Sequence, residues 1–337
     1  MSPKALALLL CLALGASAQA LKRAALGDLP LASGEVLREC VVGYRTYGTL
    51  NAERSNAVLF PTWFGGTSQD LDRYIGPGKL VDTGRWFVIA VDALGNGVSS
   101  SPSTSHRQPR MAFPRLAIRD MVDSQRRLLA QELGLTRVHA VVGLSMGGMQ
   151  AFQWLVSFPE ALDVAIPIIG SPKLASYDLF FWRTYCLAIT RDADWKGGDY
   201  SENPAREIRR GFWSLLGSTP EKVSREVSRE QVGPTLDKAR DAAAADANDQ
   251  LRQAEAMMGL DISETFGGDM ARAAAAVKAR VLVVVGRTDH TVTPGPALAF
   301  AKLLKTEPLV LENDCGHGAP GCEAERVKAA VAQALGR

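Results

Sequence analysis

The sequence predicts an α/β protein with a mostly parallel central sheet, flanked by helices and interrupted by an inserted helical segment. Short runs of β-branched and apolar residues alternate with longer amphipathic stretches, as in strands joined by crossover helices. Several runs, such as 281–285, are apolar throughout, which is typical of strands covered on both faces. The alternation stops between Ser171 and Val277, where no convincing strand occurs.

The individual elements follow from hydrophobic spacing. Strands are predicted over residues 40–47, 56–60, 86–91, 138–144, 164–169, 281–285 and 308–311. Apolar residues that recur every three or four positions predict a helix over 118–132, and Gly134 is a typical residue for ending it. Further helices are predicted over 147–158, 296–304 and 323–335.

Residues 173–277 are predicted as a helical lid inserted into the core. They carry clustered aromatic and charged residues and two alanine-rich stretches, 241–248 and 271–276, that favour helices. A separate helical domain in tandem is the alternative. The return of a strand at 281–285, before short elements that need a partner sheet, favours insertion. The core then comprises residues 21–172 and 278–337.

Composition excludes several classes of protein. The 337 residues are 47% hydrophobic and 22% charged, which is ordinary globular usage and not that of a disordered, fibrous or multi-span membrane chain. The net charge is +2 without a long basic run, so no nucleic-acid partner is expected. The sequence shows no metal-binding cluster and no phosphate-binding loop, so we expect no cofactor.

Residues 1–20 have the composition of a cleaved secretory signal. Lys4 supplies a positive charge, residues 5–14 are apolar, and two small-x-small sites end at Ala18 and Ala20. An uncleaved anchor would need about 20 apolar residues, and polar side chains interrupt this run from position 17 onward. We expect cleavage after Ala18 or Ala20, export to the periplasm or beyond, and no stable membrane anchor.

The most specific motif is Gly-Leu-Ser-Met-Gly-Gly at residues 143–148. It fits G-x-S-x-G directly after an apolar strand and at the start of a helix, which is the context that this motif requires. A tight strand-to-helix turn would project the hydroxyl of Ser145, and glycine at positions 143 and 147 would avoid clashes with the neighbouring chain. We predict that Ser145 is a nucleophile; a purely structural glycine-rich turn is the alternative.

A serine nucleophile needs a base and an acid that orients the base. Proteins with this turn carry serine, acid and histidine in that order along the chain, which selects His317 among the four histidines. Asp289 follows strand 281–285, at the sheet edge where functional groups collect. Asp314 is the rival acid, but it lies only three residues before His317, and we assign it to shaping the loop.

Two backbone N–H groups are expected to stabilise the oxyanion of the intermediate. The N–H of Met146 follows the nucleophile directly and lies at the positive end of a helix. The second donor should come from the loop after strand 56–60, where Gly65 and Gly66 permit close approach of the backbone. Trp63 is the first candidate and Phe64 the second.

These residues together resemble the homoserine O-acetyltransferase family of α/β-hydrolase-fold enzymes. The likeness covers most of the chain after residue 20, including segments 47–51, 76–79, 82–83, 86–89, 120–122, 143–150 and 191–200. The resemblance implies the α/β-hydrolase fold, a catalytic triad of Ser145, Asp289 and His317, and an oxyanion hole formed by Met146 and Trp63. It also implies a homodimer built through the lid helices.

The sequence departs from the family pattern at three places. Gly318 stands where the family carries a carboxylate that would meet the amino group of homoserine. Trp63 and Phe64 replace smaller residues of the oxyanion loop and add two aromatic rings at the mouth of the pocket. Arg210 corresponds to a lid arginine that the family uses for the substrate carboxylate, and a lid salt-bridge partner is the alternative role for it.

Three functions are compatible with these residues. A secreted esterase or related acyl hydrolase is favoured, because an exported enzyme would not meet acetyl-CoA, a cytosolic donor. An O-acyltransferase that moves the acyl group to an alcohol is the alternative, since both reactions share the acyl-enzyme. A non-catalytic binding protein on the same fold is a remote third. In each case the expected partner is a small-molecule ester or acyl compound.

Two of the five cysteines bracket the predicted base. Cys315 and Cys322 flank His317 and could form a disulfide in an oxidising compartment, which would fix the catalytic loop. Two free thiols are the alternative. The sequence does not show whether Cys40 and Cys186 pair with each other or stay buried.

Overall fold

The computed structural model of the chain describes residues 19–241 and 245–336, so the predicted signal at 1–20 lies almost wholly outside the described residues. Within these ranges the strands are β1 (Lys22–Pro30), β2 (Val36–Tyr47), β3 (Ala57–Pro61), β4 (Phe87–Val91), β5 (Val138–Leu144), β6 (Leu162–Ile168), β7 (Arg280–Val281), β8 (Val284–Gly286) and β9 (Leu309–Leu311). They form one sheet.

The sheet is mostly parallel, as predicted. Its strand order is β1-β2-β4-β3-β5-β6-β8-β9, and β7 pairs with β6. The pairs β1/β2 and β2/β4 are antiparallel, whereas the remaining pairs are parallel. The central strands β3 and β5 are buried along nearly their whole length, which explains why their sequences are apolar throughout.

Two of the strand predictions fail for identifiable reasons. Strand β1 was missed because register shifts on either side of Gly27 interrupt its alternation of buried and exposed residues. Residues 281–285 form two short strands, β7 and β8, instead of one. Both pair with β6 in one register that places Pro167 opposite Val283, and proline has no N–H to donate there.

Helices cover both faces of this sheet. They are α1 (Ile118–Leu133), α2 (Met146–Ser157), α3 (Ser176–Thr190), α4 (Arg206–Leu216), α5 (Pro220–Glu226), α6 (Val232–Asp241), α7 (Ala247–Met258), α8 (Met270–Ala276), α9 (Gly295–Leu303), α10 (Ala319–Cys322) and α11 (Ala324–Leu335). As predicted, Gly134 ends α1 in the left-handed conformation, with φ of 59°.

Helices α3 to α8 lie between β6 and β7 in the chain and form the segment that we call the lid. The alanine-rich prediction over 241–248 is wrong at residues 245 and 246, which are not helical. Helix α6 ends at Asp241, residues 242–244 lie outside the described ranges, and α7 begins only at Ala247. The reason is local: Asp246 caps α7 by accepting the N–H groups of Asn248 and Asp249.

Several buried polar side chains tie the lid to the core. Gln253 of α7 accepts the N–H of Gly65 and donates to the carbonyl of Leu94. Asp178 of α3 accepts the N–H and hydroxyl of Thr293. None of the helices in the described part of the chain combines the length and apolar character needed to cross a membrane.

Candidate active site

Ser145 occupies a strained turn between β5 and α2. Its φ of 55° and ψ of −121° lie outside the regions that residues with a side chain normally adopt. A Cβ atom at Gly143 would lie 2.1 Å from the carbonyl oxygen of Gly147, and one at Gly147 would lie 2.6 Å from that of Pro61. Both positions therefore require glycine, and the turn presents the Ser145 hydroxyl at the carboxyl edge of the sheet.

The structure brings Ser145, His317 and Asp289 into one hydrogen-bonded row. The distance from His317 Nε2 to Ser145 Oγ is 2.9 Å, and that from His317 Nδ1 to Asp289 Oδ2 is 2.7 Å. The side chain of Asp289 is 1% exposed and that of His317 14%. Because an ionised carboxylate can only accept, the Nδ1–H of His317 donates to Asp289, and Nε2 is left to accept the proton of Ser145.

Each member of this row comes from the carboxyl end of a parallel strand. Asp289 follows β8, and His317 lies in the turn after β9. The rival acid, Asp314, points away from this row, since it pairs at 2.7 Å with Arg225 of α5. The carboxylate that is hydrogen-bonded to the imidazole of His317 is that of Asp289.

The turn that carries His317 is closed by a disulfide between Cys315 and Cys322. Cys315 is buried and Cys322 is exposed, so one end of the bridge faces solvent. Cys40 and Cys186 are free, buried thiols, and burial raises the pKa of each to about 12.

The two expected oxyanion donors lie on segments that touch each other. Met146 is the first residue of α2, so its N–H has no acceptor within the helix. The loop 62–66 runs beside this turn, with the Thr62 carbonyl bonded to Gln150 of α2. Within residues 19–241 and 245–336, the N–H of Trp63 donates to no protein acceptor. Both N–H groups are therefore free to meet an oxyanion.

The side chains of Trp63 and Phe64 point into different surroundings. The ring of Trp63 stands edge-on to Tyr74, at 6.0 Å between centroids. Phe64 is buried against the lid, with its ring 4.9 Å from Trp182 and 5.8 Å from Trp213. It belongs to what we call the aromatic cluster: Phe64, Phe181, Trp182, Tyr185, Phe212 and Trp213.

The predicted substrate-binding residue Arg210 is exposed on α4. The buried arginine of α4 is its neighbour Arg209, which donates to Gln250 Oε1 at 2.6 Å and to the Ala245 carbonyl. Sequence reasoning missed Arg209, since two adjacent arginines carry no local signal of which one faces inward. It also missed the buried amides Gln150 and Gln253.

The described residues contain no group of three histidine, cysteine or acidic side chains placed to hold a metal ion. What the arrangement provides is a nucleophile, a base, an orienting carboxylate and two backbone donors. These are the parts needed for acyl transfer through a covalent intermediate.

Comparison with known proteins agrees with this chemistry. Residues 57–320 match the family described as alpha/beta hydrolase fold. A probable esterase of Corynebacterium glutamicum is 36% identical over 87% of this chain and 88% of its own. A homoserine O-succinyltransferase of Methylibium petroleiphilum is 32% identical over 86% of each chain. The solved structure of an acetylester hydrolase from Corynebacterium glutamicum superposes with a TM-score of 0.88, at 31% identity, over 94% of this chain and 96% of that one.

Proposed function

The chain belongs to the α/β-hydrolase family, as an esterase or O-acyltransferase, and we propose that it is an exported serine esterase that hydrolyses small acetyl esters. Ser145 is the nucleophile, His317 the base and Asp289 the acid that orients it. The observation that carries this proposal is the imidazole of His317, hydrogen-bonded to the serine hydroxyl on one side and the buried carboxylate on the other.

The geometry supports a two-step reaction. His317 Nε2 takes the proton of Ser145 as Oγ bonds to the ester carbonyl carbon, and the N–H groups of Met146 and Trp63 meet the oxyanion. His317 then gives the proton to the leaving alcohol as the C–O bond breaks, which leaves Ser145 acylated. A water molecule, deprotonated by the same nitrogen, attacks the carbonyl carbon of the acyl-enzyme. The bond from that carbon to Ser145 Oγ then breaks and Oγ takes the proton back from His317, which releases the carboxylic acid and regenerates free Ser145.

The aromatic cluster supports a small acyl group. Phe64 directly follows Trp63 in the oxyanion loop, and its ring packs into the lid against Trp182, Tyr185 and Trp213. Buried rings packed this closely leave little room for a long acyl chain beside the oxyanion donors. The structural relative that cleaves acetyl esters points to the same substrate class.

Transfer to homoserine is the second candidate, since a homoserine O-succinyltransferase is among the relatives. This chain carries Gly318 directly after His317, where the resemblance calls for a carboxylate to meet the amino group of the acceptor. Without that carboxylate an amino-acid acceptor loses a charged partner, whereas water needs none. Hydrolysis is therefore the reaction that we propose.

Export is supported by the composition of residues 1–20 and by the Cys315–Cys322 bridge, because disulfides persist in oxidising compartments. We expect the mature chain to begin after Ala18 or Ala20. The intact mass of the protein recovered from the periplasm or medium would measure the cleavage position, and a full-length mass in the cytosolic fraction would contradict export.

The lid helices also support a homodimer. An apolar surface on α3 and α4 faces solvent, with Phe180 77% exposed and Leu215 68% exposed. Tyr177, Leu187 and Ile208 extend it. Large apolar side chains exposed together on two helices that pack against each other are typical of a protein–protein contact, so we propose that two copies pair through this face of α3 and α4. Sedimentation velocity of wild type and of Phe180→Asp/Leu215→Asp would test this: the variant should be monomeric, and a monomeric wild type would contradict the proposal.

The central experiment measures turnover of p-nitrophenyl acetate and p-nitrophenyl octanoate, with and without homoserine. We expect acetate to be hydrolysed without an acceptor and much faster than octanoate, and Ser145→Ala to lose at least about 10⁴-fold in kcat. Turnover that requires homoserine would establish the transferase instead. Full activity of Ser145→Ala would show that the serine is not the nucleophile and would favour the non-catalytic alternative.

A further inference from the structure

A chain of buried amide hydrogen bonds lies beneath the nucleophile turn. Gln150 of α2 is fully buried, and its Nε2 donates to the carbonyls of Thr62 at 3.0 Å and Met146 at 3.1 Å. Its Oε1 accepts from Gln125 Nε2 of α1 at 2.5 Å. Gln125 Oε1 in turn accepts from the indole N–H of Trp154 at 2.7 Å. The side-chain oxygen and the side-chain nitrogen of both glutamines therefore each have a hydrogen-bond partner.

The direction of this chain is fixed by its two ends. The indole of Trp154 can only donate, and a backbone carbonyl can only accept. Gln125 must therefore present its oxygen to Trp154 and its amide nitrogen to Gln150. Gln150 must present its oxygen to Gln125, which leaves its N–H groups for the Thr62 carbonyl.

The carbonyl of Thr62 and the N–H of Trp63 belong to one peptide unit. This unit is planar and trans, so its carbonyl and N–H point in opposite directions. A donor that holds the carbonyl on the α2 side therefore turns the N–H of Trp63 to the other side. Among the described residues, Gln150 supplies the only hydrogen bond that this carbonyl accepts.

We propose that Gln150 is a positioning residue for the oxyanion hole, because it holds the Thr62–Trp63 peptide in the orientation that aims the Trp63 N–H at the oxyanion. The inference rests on the proposed function, since it assigns Trp63 as an oxyanion donor. Gln150 also bonds to Met146, which carries the second donor, so one amide group connects both halves of the hole.

Other contacts hold the rest of the loop, but none of them among the described residues reaches the Thr62 carbonyl. The N–H of Thr62 donates to Val91, and its hydroxyl accepts from Ala93. Gly65 is bonded to Gln253 of the lid. These bonds fix the position of Thr62 and the far end of the loop. Rotation about the Thr62–Trp63 peptide itself is opposed by Gln150.

The test compares Gln150→Met with Gln125→Met. Both replacements have nearly the same shape as glutamine and both break the buried chain, but only the first removes the donor to Thr62. We expect Gln150→Met to lose about 10- to 100-fold in kcat for p-nitrophenyl acetate, short of the loss for deleting a donor outright. KM should change little, because the oxyanion forms only in the transition state. A trifluoromethyl ketone inhibitor should bind more weakly by a similar factor.

Gln125→Met is the control for stability. It should lower the melting temperature by an amount similar to that of Gln150→Met while keeping kcat within about threefold of wild type. Equal kcat in the two variants, or unchanged affinity of Gln150→Met for the ketone, would overturn the proposal. In either case the wild type would still turn over and Ser145→Ala would still be inactive. Failure of this proposal can therefore be distinguished from failure of the proposed function.

A second variant tests the role of Gln150 through the pH dependence of kcat, which a loss of packing alone would not change. In Gln150→Glu a carboxylate faces the Thr62 carbonyl and repels it, whereas the protonated acid can donate to it. We expect the ratio of Gln150→Glu to wild-type kcat to rise as pH falls. A ratio that stays constant across pH would contradict the assigned role.

Discussion

Asp289 uses its two carboxylate oxygens on different partners. Oδ1 accepts the backbone N–H groups of Thr291 and Val292, at 2.9 and 3.1 Å, while Oδ2 accepts Nδ1–H of His317. The first pair fixes the carboxylate in its loop, and the last fixes which imidazole nitrogen carries the proton. Position and protonation of the base therefore depend on one side chain.

Replacement of this side chain by asparagine should damage catalysis without displacing the loop. In Asp289→Asn the oxygen can still accept from Thr291 and Val292, but the amide N–H₂ then faces His317 Nδ1. The imidazole must switch to the tautomer that carries its proton on Nε2 and cannot accept from Ser145. We expect kcat for p-nitrophenyl acetate to fall by about 10⁴-fold.

Asp314→Asn is the matched control, since this second aspartate lies three residues before His317 but pairs with Arg225 at the surface. It should keep kcat within about twofold of wild type, because a surface ion pair contributes little. A larger loss in Asp314→Asn than in Asp289→Asn would reverse the assignment of the acid.

At the scale of a single element, the turn that carries His317 is short and is closed by a covalent bond. Gly316–Gly318 is one turn of 3₁₀ helix, and Gly316 has a φ of 58°. The Cys315–Cys322 disulfide closes this turn onto α10. Because the exposed side of the bridge is Cys322, a reductant can reach it in the folded protein.

Opening the bridge should lower both stability and kcat. A closed loop of this length stabilises the fold by about 2 to 3 kcal/mol in the chain-entropy model. The variant Cys315→Ser/Cys322→Ser should therefore melt several degrees below wild type, and kcat should fall more than KM changes, because His317 loses its fixed position. Calorimetry and steady-state kinetics measure the two effects.

Reductant supplies the control for this prediction. It should reproduce the variant's behaviour in wild type and have no effect on the double variant, since Cys40 and Cys186 are already thiols. Mass spectrometry should first verify that the reductant has opened the bridge in the wild type. If kcat is then unchanged, the disulfide does not hold His317 in place.

At the scale of the whole molecule, one buried carboxylate joins lid and core. Asp249 of α7 accepts the N–H of Ser103 at 2.9 Å and bonds to its hydroxyl at 2.5 Å. Burial raises the pKa of Asp249 from 3.8 to about 7, and the nearby Asp246 carboxylate adds to the effect, whereas the bonds from Ser103 lower the pKa. The contact therefore titrates close to neutral pH.

The raised pKa makes stability depend on pH. Between pH 3.8 and about 7 the unfolded chain has lost the proton of this carboxyl, whereas the folded protein keeps it. Stability therefore falls as pH rises through this window, by up to roughly 4 kcal/mol from this group. In Asp249→Asn the amide can bond to Ser103 without ionising, so its melting temperature should fall less between pH 5 and pH 8 than that of wild type.

Glu53→Gln, which removes an exposed acid, controls for the loss of one charge and should keep the wild-type pH dependence. Identical slopes for Asp249→Asn and wild type would show that this contact does not titrate in the window.

The sequence alone determined the features that depend on neighbouring residues in the chain. The turn around Ser145 follows from the G-x-S-x-G pattern, in which Gly143 is required by the carbonyl of Gly147 only four residues further on. The alternation of strands and helices follows from hydrophobic spacing, and the order of elements along the chain was enough to select Asp289 and His317 as the partners of Ser145. These inferences need only local sterics and the topology of a parallel sheet.

The tertiary structure decided everything that depends on partners far apart in the chain. Gln150 and Thr62 are separated by 88 positions, and Gln253 and Gly65 by 188, so no spacing rule could pair them. The inward arginine of α4 is Arg209 because of where α7 packs, and β7 is divided from β8 because Pro167 of another strand faces the gap. Local propensity fixes what a segment becomes, but the direction of a buried hydrogen bond depends on which groups the fold brings within 3 Å of each other.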